Sequence, residues 1–401
     1  MAAFAPFVTD PAERERLDAI IQQIVAALAP AAMPSPYELV DLALLRAYVA
    51  ELVPDDDDVG GAALARALEL FGKQGADVGL FGGAARIGWT VAHLTAGETA
   101  DQVCASLDGA LLRQLAGEWT RDYDLVRGLV GLGVYALERG DAGHALAVRV
   151  LDQLERLARP RGAGVAWRTG PELLPPHQRE VAPDGYWNLG LAHGQPGVVA
   201  LLARYLVRGI EPARTRRLLD AAVAYQLGIE VPEGAHTPAW IVDGTDQPSS
   251  ADRLAWCYGD LGVAVALYAA GEATDHAGWR DRALALARRC ARLSLERAQV
   301  FDAGLCHGTA GAAHVFHRMF VASGDAELGA ATRTWLDRTL AIRNAEPIAG
   351  FPQRVTDGTG RWAPDASVLT GAPGVALVLA ELRSDTEPLW SRLLLTDLAR
   401  V

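Results

Sequence analysis

The chain has 401 residues, half of them hydrophobic and 21% charged, with a formal net charge of −12. This composition supports a large buried core and excludes a disordered chain. The acidic balance excludes a general nucleic-acid role, which needs basic stripes, and four cysteines in so long a chain exclude a disulfide scaffold.

The N-terminus, "MAAFAPFVTDPAERERLD", has neither a basic n-region nor an apolar h-region, so no secretory signal is expected. Residues 1–12 read as a flexible tail. The apolar stretches further on are short or broken by arginine, and none approaches the ~20 residues that span a bilayer. The expectation is a cytoplasmic protein without stable membrane insertion, peripheral at most to a membrane-associated complex. Residues 55–58, "DDDD", read as a solvated loop whose carboxylates favour the start of the following helix; the interleaved ligands of a calcium loop are absent.

From residue 80 onward one form recurs: "LFGGAARIGWTV" (80–91), "VRGLVGLGVYAL" (126–137), "LAHGQPGVVALL" (191–202), "WCYGDLGVAVAL" (256–267), "LCHGTAGAAHVF" (305–316) and "LTGAPGVALVLA" (369–380). Each copy has Gly-x-x-Gly before a small or aliphatic run at helical spacing, except that the first has Arg86 where the others have the second glycine. From Gly131 the second glycines are spaced 66, 65, 49 and 63 residues apart, room for two helices and their loops. Between them lie charged, amphipathic helices such as 142–158, with Asp141 as its expected N-cap, and 276–296. Residues 162–188 and 229–250 break the pattern. They are rich in Pro, Gly and polar residues and read as loops or a small excursion over the active end.

Apolar helices that start with glycine read as inner helices, and amphipathic ones cover them. The fold class expected is all-α, an α/α toroid of about seven inner and seven outer helices, with 1–401 as one domain. Six copies carry the glycines, so the segment around 12–52 has to supply the remaining pair without them. The glycines are expected to let backbones crowd together and to take positive φ, and the helix N-termini to favour an anion at one end.

Ahead of the Gly-x-x-Gly, three copies carry metal-capable or acid-base side chains: His193, Cys257, and Cys306 with His307. Cys, Cys and His are a zinc set. Three protein ligands leave the fourth tetrahedral position open, as in a catalytic zinc site. Two thiolates and a neutral imidazole leave the ion without net charge, which favours activating a thiol over acidifying water.

The chain resembles the lanthionine synthetase C-like proteins, the cyclases of lanthipeptide biosynthesis. The resemblance is carried by "YDLVRGLVG" (123–131), "NLGLAHGQPGV" (188–198), "RLAWCYGDLG" (253–262), "LCHGTAG" (305–311) and "LTGAPGVAL" (369–377), and covers roughly residues 35 to 395. It implies an α/α toroid with one Zn²⁺ held by Cys257, Cys306 and His307. Asp124 and His193 match acid-base positions, and Arg253, Trp256 and Tyr258 match pocket positions. The implied reaction is intramolecular Michael addition of a precursor-peptide cysteine thiol to dehydroalanine or dehydrobutyrine, forming a (methyl)lanthionine thioether. The implied partners are a dehydrated precursor peptide of leader plus core, a separate dehydratase and a transporter. Length sets the chain apart from fused multidomain synthetases.

Three other readings stand beside this one. LanC-like proteins that add glutathione-type thiols to dehydroamino acids in proteins would use the same site. A non-catalytic zinc-containing scaffold of a modification complex would dispense with Asp124 and His193. A zinc prenyltransferase would need an Asp and a Cys two residues apart, and no such set is present. His314 and His317, one turn apart inside a helix, read as packing or surface residues, and Cys104 and Cys290 as ordinary thiols of outer helices.

Overall fold

The structure, a computed structural model, describes residues 4–30, 33–73, 77–229, 236–244, 253–344, 347–355 and 359–399. Among them are fourteen helices of ten or more residues: α1 (Pro11–Ala27), α2 (Pro36–Tyr48), α3 (Val59–Lys73), α4 (Ala84–Leu94), α5 (Glu98–Leu115), α6 (Leu129–Glu138), α7 (His144–Leu157), α8 (Gln195–Val207), α9 (Pro212–Leu227), α10 (Asp260–Thr274), α11 (Ala277–Ala291), α12 (Thr309–Ser323), α13 (Ala326–Ala341) and α14 (Ala372–Arg383). Three two-stranded antiparallel ladders accompany them: β1 (Arg159–Arg161) with β2 (Gly164–Ala166), β3 (Trp187–Asn188) with β4 (Trp240–Ile241), and β5 (Gln353–Arg354) with β6 (Trp362–Ala363). No helix among the described residues is long and apolar enough to cross a membrane.

Two compact units result. One comprises Met1–Ala76, Gln299–Arg392 and Ala399–Val401, the other Asp77–Ala298 and Leu393–Leu398. In the second unit the glycine-started helices pack in sequence, α4 on α6, α6 on α8 and α8 on α10. Each is covered by the helix that follows it: α5, α7, α9 and α11 respectively. The division of labour follows from composition. Twelve of the fifteen residues of α10 are buried, against four in α11. Each fully buried Leu or Val contributes about 1.5–3 kcal/mol.

The first unit repeats the scheme with different chain order. There α12 packs on α14 and α14 on α2, with α13 covering α12 and α3 covering α2. The cover for α14 is α1, from the far end of the sequence. The segment around 12–52 therefore supplies two helices that pair elsewhere: α2 is an apolar helix without the glycine motif, and α1 covers the last glycine helix. Pro36 at the first position and the Ser35 hydroxyl, which accepts from Tyr37 N at 3.2 Å, start α2 in place of glycine. Residues ahead of α1 are packed as well. Phe4 and Val8 are buried, and Val8 N–H donates to Leu382 O at 2.8 Å.

The glycines act by close approach more than by positive φ. Of the six that precede the apolar helices only Gly259 has positive φ, at 89°; the other five are extended. At Gly128 a Cβ would lie 2.1 Å from Asp122 O, and at Gly194 2.2 Å from Asn188 O. The second glycines all meet the carbonyl six residues back: a Cβ at Gly131, Gly197, Gly262, Gly311 or Gly374 would fall 2.0–2.5 Å from it. The turn is thus folded flat against its own helix.

The remaining expectations are met unevenly. Asp55 accepts from Val59 N and Gly60 N at 3.1 and 2.8 Å, so the "DDDD" loop does serve the start of α3. Helix α7 begins at His144 after a 3-10 turn at Gly140–Gly143, and its N-cap is Gly143 with no side-chain cap, not Asp141. Residues 162–188 hold the β1–β2 turn, a short helix at Pro176–Val181 and β3. Of 229–250, residues 230–235 and 245–250 lie outside the described set.

Candidate active site

The turns ahead of the glycine helices are joined edge to edge by backbone hydrogen bonds. Phe81 N donates to Val126 O at 3.0 Å, Leu125 N to Ala192 O at 3.1 Å and Ala192 N to Cys257 O at 3.3 Å. In the first unit Cys306 N donates to Leu369 O at 2.8 Å. Within each unit this stitching turns a sequence register into a spatial one. Counting back from the first glycine, Cys257 and Cys306 share the second position, and His193, Tyr258 and His307 share the first.

In the second unit the register brings Asp124, His193 and Tyr258 together around a cleft of about 380 Å³. Asp124 is 3% exposed. One of its oxygens accepts from Arg127 N at 2.7 Å, and the other meets His193 Nδ1 at 2.6 Å. With Nδ1–H donating to the carboxylate, Nε2 is the ring nitrogen left to exchange a proton. The His193 side chain is 37% exposed, so the ring opens onto the cleft. Burial works against its charge, but the Asp124 hydrogen bond and the charges of Asp124, Cys257 and Asp122 outweigh that, and its pKa is raised.

Tyr258 stacks on His193, with centroids 5.9 Å apart and planes at 28°. Its hydroxyl accepts from Asn188 Nδ2 at 3.1 Å, and burial raises its pKa. Gly190 makes the approach possible, because a Cβ there would lie 2.4 Å from Cys257 O and 2.5 Å from the Tyr258 ring. Leu173, Leu174, Pro175 and Tyr186 also line the cleft, with Thr169 and Gln178. Trp240 stacks behind Tyr186 at 5.4 Å and meets Tyr258 edge-on at 6.3 Å.

Asp122 also lines this cleft, and the sequence reading misses it. Burial, with the Asp124 carboxylate beside it, pushes Asp122 up to about 7. A signal was present. An Asp or Asn stands six residues before the first glycine in five copies, at Asp77, Asp122, Asn188, Asp302 and Asp365. Most serve their own turns: Asn188, Asp302 and Asp365 side chains accept from the backbone N–H two residues on. The sixth copy has Arg253 there. Arg253 is half-buried and outside the residues that line the cleft, and its Nε has no hydrogen-bond partner among the described residues. Trp256 is 1% exposed, donates from Nε1 to Leu394 O at 2.9 Å and packs edge-on against Phe81. Of the three expected pocket residues, only Tyr258 reaches the cleft.

Donors of the types that hold a metal ion are Cys257 in the second unit and Cys306 with His307 in the first. None of the four cysteines forms a disulfide. Cys257 is buried, while Cys306 and His307 are half-buried. His307 Nε2 lies 3.8 Å from Asp302 Oδ2. His314 and His317 lie inside α12 and meet Glu381. Both are buried, with Nδ1 on the two oxygens of Glu381 at 2.6 and 2.7 Å. Cys104 and Cys290 are buried on the cover helices α5 and α11.

Nisin biosynthesis protein NisC of Lactococcus lactis subsp. lactis is 24% identical over 201 residues, 47% of this chain and 47% of NisC. The chain thus aligns with about half the length of that relative. The solved structure of a nisin cyclase matches with a TM-score of 0.76 at 20% identity, over 96% of this chain and 98% of that one. The fold is accordingly the α/α toroid expected from the glycine repeats. The profile of lanthionine synthetase C-like proteins matches residues 41–395, and the chain belongs to that family.

Proposed function

We propose that this protein is a zinc-dependent lanthipeptide cyclase. Its substrate would be a dehydrated precursor peptide supplied by a separate dehydratase. The observation that carries the reading is the open His193–Asp124 pair, one hydrogen-bonded turn away from Cys257.

The donor set fits zinc. Cys257 and Cys306 are thiols in the same register position, and His307 has the Asp302 carboxylate near Nε2, as metal-bound imidazoles commonly do. Zinc at Cys257, Cys306 and His307 would supply Lewis acidity that makes a substrate thiol acidic at neutral pH.

The chain's own residues then handle one proton. His193 Nε2 takes it from the substrate cysteine, and Asp124 stabilises the imidazolium through Nδ1–H. A sulfur–carbon bond forms at Cβ of the dehydroamino acid, and the double-bond pair moves toward Cα. His193 returns the proton to Cα, closing the thioether ring with no change in mass. The raised pKa of His193 suits a group that must hold the proton between the two steps. Tyr258 and Asn188 fix the ring's orientation from its face.

The test is a peptide with one cysteine and one dehydroalanine, incubated with zinc-loaded protein. Cyclisation leaves the mass unchanged and removes the thiol from alkylation. A thiol that stays alkylatable at the rate of the enzyme-free control would refute the reading. A glutathione adduct formed in preference would favour the intermolecular thiol-adding relatives instead.

A further inference from the structure

Two aromatic rings stand out of the surface in the unit that carries His307. Phe301 and Trp362 are each 53% exposed. Single exposed apolar residues are ordinary, but these two share a strip. Arg354 and Trp362 are directly opposed across the β5–β6 pair, so their side chains leave the same face. The Arg354 guanidinium lies 4.3 Å over the Phe301 ring. Phe301, Arg354 and Trp362 therefore form one aromatic–cationic surface, of residue types enriched at binding interfaces.

The strip is fixed to the loop of a candidate ligand. Asp302 Oδ2 accepts from Arg354 N at 3.1 Å, and the same oxygen lies 3.8 Å from His307 Nε2. Asp302 O accepts from Thr309 N at 2.9 Å, in the first turn of α12. One carboxylate thus joins the hairpin, the His307 turn and the helix start.

We propose that the Phe301–Arg354–Trp362 strip docks a stretch of the peptide substrate that flanks its reacting residues, and that this stretch is apolar and acidic. The proposal rests on the reading above that the substrate is a peptide. The rings offer rigid apolar area at low entropic cost. A guanidinium stacked on Phe301 keeps its N–H donors available to a carboxylate. The protein carries a net charge of −12, so nonspecific attraction favours basic peptides. A preference for acidic ones must come from a local cation such as Arg354.

The experiment is fluorescence anisotropy on the full chain with two probes: a fluorescein-labelled peptide alternating Glu and Leu, and its counterpart with every Glu replaced by Lys. Wild type binds the acidic probe more tightly. Trp362→Ala and Phe301→Ala each weaken that binding about tenfold, and Arg354→Glu reverses the preference. Both aromatic positions are half-exposed, so the two alanine variants back each other up, with circular dichroism as the check on folding. Equal binding by wild type and both alanine variants, or tighter binding of the Lys probe by wild type, overturns the proposal. Binding is read without turnover. If His193→Ala binds the probe normally while wild type shows no thiol addition, the cyclase reading fails and the docking surface stands.

Discussion

Among its described residues the second unit holds two histidine–aspartate pairs of nearly identical geometry and opposite character. His193 Nδ1 meets Asp124 Oδ2 at 2.6 Å, and His236 Nδ1 meets Asp260 Oδ2 at 2.5 Å. Around Asp260 every partner is internal. Thr237 donates from N and Oγ1 at 3.0 and 2.7 Å, and Arg289 closes the other side. The His236 side chain is 5% exposed. Burial alone would raise the Asp260 pKa, but His236, Thr237 and Arg289 outweigh it and bring it to about 2. That pair is a clamp. It ties the loop carrying Trp240 to the first residue of α10, just after Tyr258 and Gly259. The Asp124 pair lacks the enclosing partners and opens its imidazole to a cleft. What separates the two pairs is exposure, 37% for the His193 side chain against 5% for that of His236, since the pair itself is the same.

Removing each imidazole separates the two pairs most strongly. His193→Ala is expected to lower thiol addition by about 10³-fold, within the usual range for general acid–base groups, with the melting temperature unchanged. His236→Ala is expected to lower the melting temperature by several degrees and to change turnover of the folded fraction by less than about tenfold. Equal activity losses in the two variants would mean that the pairs do not differ in kind.

The carboxylates sharpen the contrast through pH. Asp124→Asn removes the charge and weakens the hydrogen bond that hold the His193 pKa up, so that pKa falls. A histidine-resolved NMR titration reads that shift, and activity is expected to fall about 10²-fold. Asp260 has a depressed pKa, so its stabilisation is present above its ordinary pKa of 3.8 and is lost as pH falls through about 2. Asp260→Asn should cost about 2–4 kcal/mol at pH 7 in denaturant unfolding. The variant should also lose the steep acid dependence below pH 4. A smaller effect, about threefold to tenfold in turnover, is expected for Tyr258→Phe. It keeps the ring on His193 but loses the hydroxyl that Asn188 holds, a bond of about 1 kcal/mol.

Much of this arrangement is legible in the sequence because backbone proximity leaves a residue-level trace. The second glycines mark where a helix start meets a carbonyl six residues back, and no other side chain fits there. The turn register that joins Asp124, His193 and Tyr258 follows from those glycines. Other features leave no such trace. Helix α2 starts with Ser35 and Pro36, so it does the work of a glycine helix without the motif. Helix α1 covers α14 through a pairing across nearly the whole chain, which no local pattern records. His236 finds Asp260 from a loop without periodicity. Trp256 stands next to a candidate ligand in sequence, yet its indole turns inward to Leu394 O. Asp122 was detectable, but its register position usually serves a turn, and only the cleft distinguishes it from Asp302 or Asp365.

The most direct test of the central claim is the zinc content of the full chain, purified folded and without added metal, by elemental analysis. About one zinc per chain is expected in wild type and in His193→Ala, and almost none in Cys257→Ala and Cys306→Ala. Folded wild type without zinc, or zinc retained by both cysteine variants, would contradict that claim.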